Sequence, residues 1–128
     1  MKKLVKHKET PFNQEFDRIY DVIGSSHLRF FYQIISSVYD TETLLFNLPV
    51  GGFIIEGYFN VTEAFGASCV LDIAGFLTFD CGAVGFTLGT QSDQCLIKYD
   101  NVVPITGVVT NTPTKGKGIL FVLYGENS

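Results

Sequence analysis

The chain has 128 residues, 46% hydrophobic and 14% aromatic, with 12 Phe, 6 Tyr, no Trp and a net charge of −4. That length sets one domain with a buried core, and that composition excludes intrinsic disorder. The longest apolar runs, such as Ile119 to Tyr124, are too short for a membrane-spanning helix.

Residues 1–27 read as a basic arm with a short helix, and residues 28–128 as the folded domain. Lys2, Lys3, Lys6 and Lys8 crowd the start. Glu9, Gln14, Glu15 and Asp17 follow where a signal peptide needs an apolar stretch, so the expectation is a soluble chain not secreted by that route. Thr10 and Pro11 have the character of a helix N-cap and first turn. Phe12, Phe16, Ile19, Tyr20 and Ile23 recur at spacings of 3 and 4 before Gly24, which predicts a short amphipathic helix; a strand over residues 18–23 competes. Such a helix is too short to stand alone and must lie on something.

From Ser25 onward the period becomes two. Leu28, Phe30, Tyr32, Ile34 and Val38 share one strand face, and Leu44, Phe46 and Leu48 share the next. Pro49, Gly51 and Gly52 form a turn. Phe53, Ile55, Gly57, Phe59 and Val61 then line a face, as do Cys69, Leu71 and Ile73. Further short strands are predicted at residues 76–79, 84–88, 95–99 and 102–110, the last with Pro104 at an edge or a strand start. Residues 118–124 are apolar on both sides, as in a doubly buried strand. About eight short strands between Gly-rich turns predict an all-β fold, an antiparallel β-sandwich of jelly-roll-like form. Its expected interior comprises Phe53, Ile55, Phe59, Leu71, Ile73, Phe121 and Leu123.

The segment from Pro49 to Phe65 resembles the front of small bacteriophage virion proteins, where a "P-x-G" turn opens a strand that ends in "V-T-x-A-F". Val70 to Gly75 matches the following strand, and Gly118 to Tyr124 matches the closing "G-x-[apolar]-V-x-[apolar]-Y" strand. The likeness covers roughly residues 44–125. The chain departs from the group at Gly75-Phe76-Leu77, which runs straight into another apolar strand, and residues 1–40 have no counterpart in it. The resemblance implies a structural protein of a tailed bacteriophage particle: a head-decoration, head-fibre or tail-associated subunit located in the virion.

Charge points the same way. Residues 1–30 balance at +2, whereas residues 31–128 hold Lys98, Lys115 and Lys117 against nine acids. So few charges on so large a body imply surfaces buried against copies of itself and other virion proteins, such as major capsid or portal and tail proteins. The arm is expected to supply the anchor: Lys2, Lys3, Lys6 and Lys8 attract an acidic neighbour, and Phe12, Phe16 and Ile19 make the apolar contact. Nucleic acid is not the expected partner, because the body is acidic and the lysines are not interleaved with aromatics.

Catalytic patterns are missing. His7 and His27 have no nucleophile or carboxylate partner at a telling spacing, and no G-x-S-x-G occurs. Lys117 lacks the glycine and hydroxyl residue of a P-loop. Cys69, Cys81 and Cys95 are too widely spaced for a zinc site and read as free core thiols. Glu63 with Asn60 and Thr62 is one carboxylate, too few for a cation. The expectation is no enzyme, no cofactor and no metal. A glycan-binding module with Tyr58 or Tyr99 as a stacking platform is the alternative.

Overall fold

The computed structural model describes residues 27–126. The predicted arm and helix, with Lys2, Lys3, Lys6, Lys8, Phe12, Phe16 and Ile19, lie outside the described residues.

Two antiparallel sheets form the described chain, as the sequence predicts. Sheet A has the order β1 (His27–Ser36), β9 (Lys117–Glu126), β3 (Phe53–Glu63) and β6 (Gly85–Leu88). Sheet B has the order β2 (Thr43–Leu48), β8 (Val103–Thr110), β4 (Val70–Ile73), β5 (Leu77–Asp80) and β7 (Thr90–Gln91). A 3-10 turn, Ser37–Tyr39, carries the chain from sheet A to sheet B. Pro104 pairs with Asn47 at the start of β8, where a missing N–H costs least. β8 lies between β2 and β4, so it is not an edge strand.

The main core lies between the sheets. Phe59 is fully buried, with its ring 5.8 Å from Phe65 and 5.9 Å from Phe79. Ile54, Leu71, Ile73, Leu120 and Val122 share that interior. Beside this core Phe31 stacks on Phe46 at 4.6 Å, and Phe46 meets Tyr124 at 5.0 Å. No buried polar or charged residue occurs among the described residues. The thiols of Cys69, Cys81 and Cys95 are free and buried, as expected.

Three expectations change. First, residues 95–99 are not a strand. They belong to a turn and loop pinned to the free edge of β3: the Leu96 N–H donates to the Ile54 carbonyl at 2.7 Å, and the Tyr99 N–H to the Gly52 carbonyl at 3.2 Å. Leu96 takes a left-handed backbone, φ 65°, and the burial of its side chain offsets that strain.

Second, the expected interior divides. Phe59, Leu71 and Ile73 lie in the main core, but Phe53 and Ile55 form a small separate cluster with Leu96, against which Leu123 packs. A bulge between Ile54 and Glu56 is the cause. One extra residue in β3 reverses its alternation, so Ile54 points inward and its neighbours outward. Third, Phe121 lies on the outer side of β9, because Leu120 and Val122 take the inner one.

Candidate functional site

The period-two face of β1 turns away from the core. Register pairs Phe30 with Leu123, Tyr32 with Phe121 and Ile34 with Ile119. It pairs Phe121 in turn with Tyr58, and Tyr58 with Leu88. Antiparallel partners share a face, so these side chains form rows across all four strands of sheet A. The inner face takes Phe31 and Ile35 instead.

This outer face is open. Tyr32 is 68% exposed, Phe86 66% and Phe30 60%, and Leu28, Ile34 and Leu88 are exposed as well. Phe30, Tyr32, Tyr58, Phe86 and Phe121 line a shallow groove of about 420 Å³. Its rings are held in pairs: Tyr32 and Phe121 lie 6.2 Å apart, and Tyr58 and Phe86 lie 5.4 Å apart. At roughly 150–250 Å² per aromatic side chain, the exposed parts of these residues come to roughly 700 Å². The largest apolar patch on a typical monomer is about 300–600 Å². One side of a standard protein interface is about 800 Å².

Charge sits only on the rim. Tyr58 donates its hydroxyl proton to Glu56, and this bond, followed by burial, raises the hydroxyl's pKa. Arg29 pairs with Glu126 at one end of the sheet, and Lys117 stands opposite Glu63 at the other. The Lys98 ammonium lies 5.7 Å from the centre of the Phe53 ring. Leu96 and Lys98 cover the β3 side of the face around Phe53, while Leu28 on β1 at that end, and Ile34 and Phe86 at the other, stay exposed.

The residues weighed for other chemistry are used structurally. Tyr99 packs edge-on against Phe76 at 5.8 Å, and its hydroxyl donates to the Gln94 side chain at 2.8 Å, so it is not a free platform. Thr62 donates its hydroxyl to the Lys117 carbonyl at 3.1 Å. Burial pushes the Cys81 thiol up to about 12, with the nearby Cys69 and Asp80 adding to it, and burial raises Cys95 too. No cluster of three or more metal-ligating side chains occurs among the described residues, and none of their helices is long and apolar enough to cross a membrane. The sequence reading expected apolar surfaces on the body but named contact residues only in the arm, which lies outside the described residues, and did not single out this face. Its signal was an apolar β1 face beside a β9 apolar on both sides.

No protein-family model matches the sequence, and no curated protein matches it. The fold has counterparts among solved structures. One is a chain of the acidic-stable capsid of Helicobacter pylori bacteriophage KHP30, with a TM-score of 0.60 and 17% identity, covering 79% of this chain and 89% of that one. Another is a chain of the cyanophage Pam1 capsid asymmetric unit, with a TM-score of 0.54 and 15% identity, covering 79% and 86%.

Proposed function

We propose that the chain is a non-enzymatic structural subunit of a tailed bacteriophage particle. It holds to copies of itself and to other virion proteins such as the major capsid or portal and tail proteins. The observation that carries this reading is the open, uncharged outer face of sheet A. It belongs to a fold whose counterparts sit in phage capsids. An exposed apolar area of this size costs free energy in water and gains it on contact. The groove offers aromatic faces with few hydrogen-bonding groups, which suits protein side chains better than sugar hydroxyls.

The arm adds a second contact. Lys2, Lys3, Lys6 and Lys8 draw the subunit toward an acidic surface, and Phe12, Phe16 and Ile19 fix it by burial. An exposed ion pair contributes about 0–1 kcal/mol. A fully buried apolar side chain contributes roughly 1.5–3 kcal/mol. The apolar trio therefore dominates.

The test is incorporation into particles assembled in the host. The full chain co-purifies with particles. Deleting residues 1–24 leaves the sandwich folded and stops incorporation. Neutralising the four lysines weakens incorporation less than changing Phe12 and Phe16 to Ser. A full chain absent from particles refutes the subunit reading; a deletion variant that incorporates normally, or fails to fold, refutes the role of the arm.

A further inference from the structure

The open face and the segment that precedes it match in chemistry and size. On a helical period Phe12, Phe16, Ile19, Tyr20 and Ile23 share a stripe about 100° wide. Gln14, Asp17, Arg18 and Asp21 fall on the opposite side. From residue 12 to residue 23 a helix rises about 17 Å. The outward row of β1 from Leu28 to Ile34 spans about 20 Å. A helix is about 10 Å across, and the outermost of four strands lie about 14 Å apart. One such helix covers the face, and its stripe carries no charge to bury.

Position decides which copy supplies it. Gly24, Ser25 and Ser26 tether the segment to His27, at the start of β1. Leu96 and Lys98 stand over the β3 side of the adjoining end, around Phe53. The groove is open at the opposite end, beside Ile34 and Phe86, away from the tether. Lys2, Lys3, Lys6 and Lys8 at the head of the arm are opposite in sign to the body, so the arm of one copy is steered toward the body of another through its first residues.

We infer that residues 11–23 of a neighbouring copy enter from the open end and lie as a helix across the outer face of sheet A. This rests on the reading of the chain as an assembled subunit, and names the partner of its open face. Arm into face joins two different surfaces, so the contact repeats head to tail and closes into a ring when the rotation allows.

Cross-linking of full-length chains tests it, because the native thiols are all buried. An Ile19→Cys chain is mixed with a Tyr32→Cys chain of different mass and treated with a short bismaleimide. The expected product is a covalent dimer containing one of each, lost when Phe12 and Phe16 are also changed to Ser. A double variant gives a ladder of linked chains. Linkage only within one chain overturns the inference in favour of the copy's own segment. Dimers only between two Tyr32→Cys chains overturn it in favour of face-to-face pairing, and no linkage overturns it outright. Incorporation of the wild-type chain is scored separately: incorporation without arm-to-face linkage sinks this inference and leaves the subunit reading intact. Failure to incorporate sinks the subunit reading itself.

Discussion

Replacing Phe59 with Ala removes the ring that joins the two sheets. The side chain is fully buried, and its ring centre lies under 6 Å from those of Phe65, which is tilted to it, and Phe79, which meets it edge-on. On its strand neighbour lies Gly118, where a Cβ would sit 2.6 Å from the Phe59 ring. The ring therefore fills space that the glycine leaves free, and Gly118 has no side chain with which to refill it. The cavity stays open, so the loss falls high in the range for such truncations, about 4–5 kcal/mol. Against a total stability of about 5–15 kcal/mol, that is a third or more. Urea unfolding of the full chain, followed by circular dichroism, measures it as a lower midpoint at unchanged slope. Phe86→Ala is the matched control: the same residue type on the adjacent strand β6, but on the outer face, with an expected change within about 0.5 kcal/mol. Equal losses for the two variants would refute the assignment of faces.

Gly125→Ala should destabilise by about 1–3 kcal/mol, because its Cβ would meet the Phe53 ring at 2.2 Å; thermal unfolding reads this. Cys69, Cys81 and Cys95 should stay silent to an aromatic disulfide reagent at neutral pH until the chain unfolds, since all three are buried. The Cys81 thiol, pushed up to about 12, stays protonated in the fold while its unfolded counterpart ionises. Stability should therefore fall as pH rises from about 9 toward 12, by up to about 1.4 kcal/mol per pH unit for this group; a flat profile would contradict it. Tyr32→Asp with Phe86→Asp should leave the unfolding midpoint nearly unchanged and shift sedimentation toward monomer.

The strands were legible because period-two patterning survives in single segments: β1 and β4 follow it throughout, and β3 follows it beyond its bulge. Which side of a strand faces inward was not legible where both sides are apolar. In β9 the sets Ile119, Phe121, Leu123 and Leu120, Val122 differ little in hydrophobicity, and only packing against Phe59 and Ile35 selects the second. The β3 bulge was equally hidden, since Phe53, Ile54 and Ile55 are all apolar and mark no extra residue. Residues 95–99 open on an apolar run like a short strand, but they follow the two-residue β7, and the edge they meet is bonded at separate points rather than by a ladder. The exposed apolar face emerged only with register, which sets residues distant in sequence, such as Tyr32, Tyr58 and Phe121, in one row.

The central claim is that the outer face of sheet A is buried in an assembled particle. Hydroxyl-radical footprinting of the free subunit and of purified particles, read by mass spectrometry, addresses it side chain by side chain. The account predicts that Phe30, Tyr32 and Phe86 are oxidised readily in the free subunit and strongly protected in the particle. Equal oxidation of these three in both states would contradict it.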